Sequence, residues 1–471
     1  IAPAGATVDM FMRGDQVMDF FEARQSGKAI GVPGTIALYK TAHEQYGKLP
    51  WANLFEPAIR LATEGFAVSP RFANYLPGMQ QRSLLAVNPG TSDYFYPDGE
   101  PLQAGDLLKN PEYANSLTRI VNEGPDAFYR GEIAEQIVAA AQAEPDPGSL
   151  TLQDMADYRV AQRDVICGDF RDMEICTTSP PSSGGAQIMM AALYDHLLTP
   201  GADQADRIAA FVDAQRLAYA DRDQYFGDPD EVDIPLEELL DPAYLEYRAT
   251  ERFAPGAIPT PGDPGLLLHG SPVAGRFAQD STQEAAGTSH LSIIDSDGNA
   301  VSMTMTVESV FGSQRWAAGF VLNNEMTDFA RAVPADGSRP ANAIAPGRRP
   351  RSSMSPTMVL DSQGDILMIT GSPGGNSIPA YVAKTIVGVL DWGLTAQQAA
   401  DFPNIIARGE TVRVEVGVNP GPEIAADLEA RGYNVRQRDG ENSGLHIIVV
   451  TEAGLDGAAD MRREGTVVRL P

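Results

Sequence analysis

The sequence has few of the residues that build metal and cofactor sites. It contains 2 cysteines and 5 histidines in 471 residues. The histidines are scattered without the spacing of metal ligands. No apolar run reaches the roughly 18 residues of a transmembrane helix, and no phosphate-binding loop or dinucleotide fingerprint is present. The sequence therefore predicts no metal, no cofactor and no membrane span.

Positive charge is also scarce. Lys and Arg number 35 against 63 Asp and Glu, which gives a formal net charge of −28. A chain this acidic is repelled by nucleic acids and by anionic membranes, so both are excluded as partners. Hydrophobic residues make up 43% of the chain, enough to bury a sizeable core. The composition favours a globular protein that acts on small molecules.

The two cysteines, Cys167 and Cys176, lie close together in "VICGDFRDMEIC". They can flank a short hairpin and form one disulfide, or they can be two buried thiols. Both interpretations remain open, because the compartment of the protein cannot be read from one pair.

The chain changes character along its length. Its first half carries apolar residues at helical spacing, as in "GTIALYKTAHEQYG" and "WANLFEPAIRLATEGF". After Gly287 it becomes rich in alternating strand patterns such as "AVSMTMTV". Helices combined with antiparallel hairpins predict an α+β layered sandwich.

Residues 249–287 separate these two halves. The segment is rich in Pro, Gly and small residues and shows no periodicity. Long structureless stretches are uncommon inside compact proteins. We therefore predict a mobile or processed segment here.

A hairpin follows directly, in "TSHLSIIDSDGNAVSMTMTVE". The turn "DSDGN" places Gly298 where a positive φ is preferred, which centres the hairpin on Asp297. Thr288 then lies opposite Thr306. Side chains two residues apart share a strand face, so Thr304, Thr306 and Glu308 should project together.

An internal threonine is a poor nucleophile, whereas a threonine at a chain N-terminus carries its own base. Its α-amino group has a pKa near 8 and can accept the hydroxyl proton. Thr306 is then placed to orient the hydroxyl of Thr288. The alternative is a structural pair, since cross-strand threonines are common.

Several motifs carry a family resemblance over the whole chain. "TSHLSIIDSDGNAVSMTMT", "GFVLNNEMTDF", "RPRSSMSPTMV" and "GSPGGNSIPAYV" resemble, in order, the small-subunit motifs of the γ-glutamyltransferase (glutathione hydrolase) family. "PPSSGG", "YADRDQYFGDPD" and "GAADMRREGTVV" resemble that family as well. The resemblance implies a four-layer αββα sandwich of the N-terminal-nucleophile hydrolase type.

The same resemblance implies self-cleavage between Gly287 and Thr288. Residues 1–287 would form a large subunit and residues 288–471 a small subunit, intertwined in one domain. Thr288 would attack a γ-glutamyl amide such as glutathione and form an acyl-enzyme, which water or an amino acid or peptide then releases. Thr306 falls on the assisting threonine of the family. Gly374 and Gly375 fall on its oxyanion-hole pair, although "SPGG" also reads as a plain turn.

Substrate recognition in the family is a zwitterion clamp. By resemblance Glu308, Glu325 and Asp328 would hold the α-ammonium group. Ser352 and Ser353 would donate to the α-carboxylate. The structural alternatives are a solvated acidic loop for Glu325 and Asp328 and a turn for the serines.

The chain departs from the family at three places. Glu308 replaces an Asn, residues 327–351 lack the Tyr of a substrate-covering lid, and the Arg-Glu pair expected before "IAP" is absent. The open lid favours hydrolysis, and the missing pair suggests an N-terminally incomplete chain. Arg348, Arg349 and Arg351 lie close to the serines in sequence. We expect their side chains to be solvated at the surface.

Alternatives remain for both the site and the function. His290 shares a strand face with Thr288, but no acid stands at a known spacing, which favours a packing or hydrogen-bonding role. The second hypothesis is a related enzyme, an acylase of the glutaryl-cephalosporin type or an amidohydrolase of the oxamate type. The third is an unprocessed, non-catalytic relative that acts as a binding protein. Family members are exported, which predicts a periplasmic or secreted protein.

Overall fold

The computed structural model describes residues 1–80, 83–251, 253–280, 282–285, 287–332, 334 and 336–470. Residues 1–162 are mainly helical. Their strands are β1 (Met12–Arg13), β2 (Gln16–Val17), β3 (Phe66–Ala67) and β4 (Leu107–Leu108). Their helices are α1 (Phe20–Gln25), α2 (Thr35–Tyr46), α3 (Trp51–Glu64), α4 (Pro70–Gln80), α5 (Pro89–Phe95), α6 (Pro111–Glu123), α7 (Asp126–Tyr129), α8 (Glu132–Gln142) and α9 (Leu152–Asp157).

Residues 163–306 mix both kinds of element. The strands are β5 (Val165–Phe170), β6 (Met173–Thr178), β7 (Ser289–Ile294) and β8 (Ala300–Met305). The helices are α10 (Gly184–Leu197), α11 (Gln204–Tyr225), α12 (Leu236–Leu239), α13 (Pro242–Thr250) and α14 (Pro264–His269).

The rest of the chain is richer in strands. The strands are β9 (Trp316–Ala317), β10 (Phe320–Val321), β11 (Thr357–Leu360), β12 (Ile366–Gly371), β13 (Ile405–Arg408), β14 (Thr411–Glu415), β15 (Val435–Arg438), β16 (His446–Thr451) and β17 (Gly454–Ala459). The helices are α15 (Ile378–Leu390), α16 (Ala396–Asp401) and α17 (Gly421–Ala430).

These elements form two compact units. The first comprises residues 1–162, 307–332 and 344–350, and the second comprises residues 163–306, 333–343 and 351–471. The first unit holds the predicted amphipathic helices of the N-terminal half, α2 and α3. Its apolar side chains are buried in three clusters, one of them around Ile137 and Leu322. Chain segments far apart in sequence thus share each core.

The second unit is built on a six-stranded antiparallel sheet of order β17-β16-β12-β11-β6-β5. Helices α10 and α15 pack on this sheet, and the β7–β8 hairpin packs against β12 and β16. A single large apolar cluster joins the helices to the sheet. The unit therefore has a helical layer and two β layers, in agreement with the predicted α+β class.

The β7–β8 hairpin has the predicted register. Ser289 pairs with Met305, and the pairing continues to Ile294 and Ala300. At the turn, Asp295 accepts hydrogen bonds from the N–H groups of Asp297 and Asn299, and Gly298 has a φ of +83°. Asp side chains and a positive-φ glycine both stabilise such turns.

Cys167 and Cys176 form a disulfide. They are directly paired residues of β5 and β6. The disulfide interpretation is therefore confirmed, and the alternative of two buried thiols is wrong. Strand β5 is the edge of the sheet, so the disulfide ties down its outermost hairpin.

The expectation of a structureless segment at 249–287 is wrong at helix α14 (Pro264–His269) and at the 3₁₀ turn Ala274–Arg276, while most of the other described residues are irregular. Helix α14 begins with Asp263 as its N-cap, whose carboxylate also accepts from the N–H groups of Val273 and Ala274. The hydroxyl of Tyr225 donates to the carbonyl of Gly262 in the core. Side-chain caps and buried contacts, invisible in a Pro- and Gly-rich composition, order this segment. Arg252, Ser281 and Ala286 lie outside the described residues, and processing stays a prediction.

Within the described residues, no helix combines the length and the apolar character that crossing a bilayer requires.

Candidate active site

Thr288 and Thr306 meet at the open end of the hairpin. Thr288 Oγ1 donates a hydrogen bond to Thr306 Oγ1 across 3.1 Å. Thr288 is 4% exposed, so its hydroxyl lies in a largely desolvated position. The predicted facing of the two threonines is confirmed, and the pair is arranged for one hydroxyl to orient the other.

Arg463 holds the main chain of Thr288. Its Nη1 donates to the carbonyl oxygen of Thr288 at 2.8 Å, and its Nη2 donates to the carbonyl of Asn442. A guanidinium group presents several donors in a rigid fork, so it can fix two backbone segments at once. The C-terminal "MRREG" stretch thus positions Thr288, the residue just before β7.

His290 is held by hydrogen bonds on both ring nitrogens. Ser292 Oγ donates its proton to the carbonyl of His446, so it accepts from His290 Nε2 at 3.1 Å. His290 Nδ1 then accepts from the hydroxyl of Thr304 at 2.8 Å. Thr304 is therefore a partner of the histidine, and the predicted hydrogen-bonding role of His290 is confirmed.

The imidazole of His290 is neutral at ordinary pH. Burial, together with the neighbouring His446, lowers its pKa to about 3. A Cβ on Gly371 would lie 2.1 Å from a ring carbon of His290, so the ring packs directly on the backbone of β12. A group with this pKa and this packing supports the hairpin and is not a general base near neutral pH.

Gly374 and Gly375 form a turn before α15 that requires glycine. Their φ angles are +146° and +57°. A Cβ on Gly375 would lie 2.4 Å from the carbonyl oxygen of Glu284 and 2.6 Å from that of Ala285. Among the described residues, neither glycine N–H donates a backbone hydrogen bond. The glycine backbone thus closely approaches the chain just before Thr288.

Ser353 lies against a buried carboxylate. Its N–H donates to Glu284 Oε2 at 3.0 Å, and its Oγ accepts from Arg222 Nη2 at 2.6 Å. Ser352 is tied to the neighbouring turn, where its carbonyl accepts from the hydroxyl of Ser183. Ser353 is therefore part of a site that binds a carboxylate.

A buried ionic cluster surrounds this point. Its guanidinium groups and carboxylates belong to Arg222, Arg351, Arg408, Asp223, Asp280 and Glu284. Arg351 is fully buried, so the expectation that it is surface-solvated is wrong. Burial raises the pKa of Asp280, but Arg351 and the hydrogen bonds from Thr282 and Asn342 together outweigh that effect and hold the pKa below its ordinary value.

The three predicted ammonium-binding carboxylates lie in the first unit. Glu308 is 2% exposed and accepts from the hydroxyl of Ser309 at 2.6 Å and from the side-chain amide of Asn324. Glu325 and Asp328 lie on one 3₁₀ turn, and Asp328 is also buried. The burial of Asp328 excludes the solvated acidic loop as an interpretation of that residue.

One expectation about Glu308 is wrong. Strand β8 ends at Met305, and Glu308 has a φ of +74°. The strand alternation therefore does not continue from Thr304 and Thr306 to Glu308. The chain turns here because Asn324 binds Glu308 and also accepts from the N–H of Ser309.

The remaining predicted residues fall in the second unit, where the hairpin threonines, the glycine turn and the serines all lie. Sequence reasoning missed Arg463, Arg222 and Glu284. The first two stand in motifs quoted for the resemblance, "GAADMRREGTVV" and "YADRDQYFGDPD", but their partners are distant in sequence. The only local signal of Glu284 is its place four residues before Thr288.

Comparison with known proteins places the chain in a family. The γ-glutamyltranspeptidase family model matches residues 1–470. The glutathione hydrolase proenzyme of Escherichia coli (strain K12) is 35% identical over 477 residues, which cover 98% of this chain and 79% of that protein. The acylase ACY 1 proenzyme of Pseudomonas sp. (strain SE83) is 33% identical over 483 residues, which cover 100% of this chain and 81% of that protein.

A solved structure supports the same conclusion. Cephalosporin acylase from Bacillus halodurans is similar with a TM-score of 0.83 and 25% identity, over 99% of this chain and 83% of that chain. The predicted N-terminal-nucleophile hydrolase fold is thereby confirmed, as is a γ-glutamyl hydrolase or transferase function at the level of the family. The chain belongs to the γ-glutamyltranspeptidase family.

Proposed function

We propose that the protein cleaves itself between Gly287 and Thr288 and then hydrolyses γ-glutamyl amides such as glutathione through Thr288. The observation that carries this proposal is the 3.1 Å hydrogen bond from Thr288 Oγ1 to Thr306 Oγ1. A hydroxyl held in one direction in a desolvated site is prepared for attack on a carbonyl carbon.

Self-cleavage begins with the same hydroxyl. Thr288 Oγ1 attacks the carbonyl carbon of Gly287, and the peptide nitrogen of Thr288 leaves with a proton. This step replaces the amide with an ester between Gly287 and the Thr288 side chain. The same step frees the α-amino group of Thr288, and water then hydrolyses the ester to release the Gly287 carboxylate and restore the Thr288 hydroxyl. In the uncleaved chain Thr306 is the group that can polarise the attacking hydroxyl.

Turnover uses the new α-amino group as the base. It accepts the proton of Thr288 Oγ1 as that oxygen attacks the γ-carbonyl carbon of the substrate. The proton passes to the departing amine, which leaves the γ-glutamyl group as an ester on Thr288. Water completes hydrolysis by releasing glutamate, while an amino acid or peptide would accept the acyl group in a transfer.

The oxyanion of each tetrahedral intermediate is assigned to the N–H groups of Gly374 and Gly375. The approach of Gly375 to the carbonyl oxygens of Glu284 and Ala285, just before Thr288, supports this assignment. Donors fixed before the reaction stabilise developing negative charge without reorganisation. Glycine suits the position because a side chain would prevent the approach.

The amino-acid end of the substrate is assigned to the remaining residues. Ser352 and Ser353 would donate to the α-carboxylate, and Glu308, Glu325 and Asp328 would accept from the α-ammonium group. The hydrogen bond between Ser353 and a carboxylate supports the first assignment. Hydrogen bonds between charged groups provide strong and directional recognition. Export to the periplasm or the cell exterior is part of the proposal.

A second candidate is an acylase that removes glutaryl or related acyl groups. Its support is the 33% identity to acylase ACY 1 and the similarity to cephalosporin acylase. The processed enzyme should be assayed with γ-glutamyl-p-nitroanilide and with glutaryl-p-nitroanilide, which keeps the carboxylate but lacks the α-ammonium group. We expect the larger kcat/KM for the γ-glutamyl compound. A preference for the glutaryl compound would establish the acylase instead.

A further inference from the structure

Three arginines project from one face of the small sheet β13-β14-β15. Arg413 of β14 pairs with Arg436 of β15 in the parallel register. Arg408 of β13 pairs with Thr411 of β14. Paired residues and residues two apart in a strand share a face, so these four side chains lie on the same side of the sheet. The opposite face packs into the core, where Val414 is fully buried.

The pairing of Arg413 with Arg436 brings two like charges together. Neighbouring strands lie about 4.8 Å apart, and like charges at directly paired positions destabilise a sheet. Arg413 is balanced by Glu441, whose carboxylate accepts from its Nε and Nη2. The side chain of Arg436 has no hydrogen bond or ion pair with any other described residue. Arg436 therefore lacks a counter-charge within the described chain.

This face of the sheet forms one wall of a cavity. The cavity has a volume of about 350 Å³, within the range of roughly 300–1,000 Å³ that is typical of small-molecule sites. Arg408, Thr411, Arg413 and Arg436 all line it. Every lining residue belongs to the second unit. The three arginines thus surround a space large enough for a small molecule.

Further hydrogen-bond donors line the same cavity. Asn376 and Ser377 lie in its wall, and Ser377 is the N-cap of α15, where the dipole of a helix favours negative charge. Asn376 is 8% exposed, and its Nδ2 has no acceptor in the part of the chain that the structure describes. A buried donor without an acceptor costs free energy, which a bound acceptor offsets.

Two carboxylates also line the cavity, but arginines behind them already neutralise their charge. Arg222 Nη1 donates to Asp223 Oδ1, and Arg351 Nη2 lies 3.0 Å from Asp280 Oδ2. Among the charged groups that line the cavity or pair with its lining, five guanidinium groups stand against four carboxylates: Arg222, Arg351, Arg408, Arg413 and Arg436 against Asp223, Asp280, Glu284 and Glu441. A local excess of positive charge in a chain of net charge −28 is suited to an anion.

We propose that this cavity is a binding site for a small oxyanion, the carboxylate or phosphate group of a small molecule, held between Arg413 and Arg436. A guanidinium group binds both kinds of oxyanion through parallel N–H donors. Thr411, whose hydroxyl makes no hydrogen bond with another described residue, supplies a further donor from the same face. The proposal does not depend on Thr288 as the nucleophile.

The first experiment measures anion binding to the full-length protein. The midpoint of thermal unfolding is followed as sodium phosphate or sodium acetate replaces sodium chloride at constant ionic strength. A ligand that binds only the folded state raises the midpoint in a saturable way. We expect saturation with at least one of the two anions: phosphate alone identifies a phosphate group, and acetate alone a carboxylate. A protein that saturates with neither anion would overturn the proposal.

The second experiment separates the site from general salt effects, because phosphate also stabilises proteins by exclusion from their surface. Arg436→Gln removes the unpaired charge. Arg438→Gln is the matched control, since Arg438 is an exposed arginine on the same face of β15 that does not line the cavity. We expect Arg436→Gln to raise the Kd of the anion about tenfold and Arg438→Gln to leave it unchanged. Equal Kd values for the two variants would overturn the proposal.

A third variant tests whether the anion lies inside the cavity. Thr411→Val removes a lining hydroxyl without changing the charge, so it acts only on an anion within hydrogen-bonding reach. We expect the Kd to rise about three- to tenfold, as for the loss of one hydrogen bond. If Thr411→Val left the Kd unchanged while Arg436→Gln raised it, the anion would bind at the outer surface and the cavity site would be refuted.

Discussion

The hydroxyl groups of Thr288 and Thr306 are hydrogen-bonded just beyond the first residue pair of the β7–β8 hairpin, with 3.1 Å between the oxygens. The pairing of Ser289 with Met305 fixes their relative position. Two residues further along the same strands, the hydroxyl of Thr304 is bonded to His290. Thr304 thus supports His290, whereas Thr306 accepts the hydrogen bond from Thr288.

Replacement of Thr306 should separate orientation from folding. Thr306→Val keeps the shape of the side chain but removes the oxygen that accepts from Thr288. We expect kcat to fall roughly 10²-fold, within the range of a positioned proton-transfer group, and self-cleavage to slow as well. Thr306→Ser should retain most activity. Measured kcat and cleavage rates test this, and an unimpaired Thr306→Val enzyme would contradict the role of the hydroxyl.

Gly375→Ala should damage the reaction more than the fold. Its Cβ would lie 2.4 Å from the carbonyl oxygen of Glu284, and its φ of +57° is strained for alanine. We expect kcat to fall about 10²- to 10³-fold, as when an oxyanion donor is lost. Gly364→Ala is a matched control, because Gly364 has a φ of +85° but open space around it. Equal kcat losses in both variants would show that backbone strain alone is responsible.

The buried His290 should make the fold sensitive to acid. Because its folded pKa is about 3 and its unfolded pKa is 6.5, the unfolded state binds more protons between these values. The free energy of unfolding therefore falls as the pH drops from 6.5 to about 3, and this contribution is constant outside that window. Urea unfolding in the Thr288→Ala background should show a smaller fall for His290→Gln. Parallel pH profiles for the two proteins would contradict a neutral buried imidazole.

The disulfide should stabilise the protein without affecting its chemistry. Cys167 and Cys176 close a loop with a sequence separation of 9, which corresponds to about 2.5 kcal/mol of loop-closure entropy. They lie on β5 and β6, whereas the hairpin of Thr288 packs against β12 and β16. The double Cys→Ser variant should lose about this free energy of unfolding and keep its kcat. A large fall in kcat would show a coupling that this geometry does not provide.

The local features of the fold could be predicted from the sequence. The hairpin register follows from Gly298 and the alternation around it, because the turn sets which residues face each other. The opposition of Thr288 and Thr306 therefore needed no tertiary information. Helices α2 and α3 were likewise visible from apolar periodicity.

The features that depend on distant partners could not be predicted. Glu284 binds Arg222 and Ser353, which are 62 and 69 residues away in sequence. Arg351 looked like a surface residue because three arginines stand close together there, yet it pairs with Asp280 inside the protein. Composition also gave no sign of helix α14 within residues 249–287, because its cap Asp263 stands in a segment without periodicity.

The most direct test of the account is the start of the smaller chain after purification of the full-length protein. Intact-mass measurement and N-terminal sequencing should find two chains, the smaller beginning Thr288-Ser289-His290. The Thr288→Ala variant should remain a single chain without γ-glutamyl hydrolase activity. A wild-type protein that stays uncleaved, or a Thr288→Ala protein that still turns over γ-glutamyl-p-nitroanilide, would contradict Thr288 as the nucleophile.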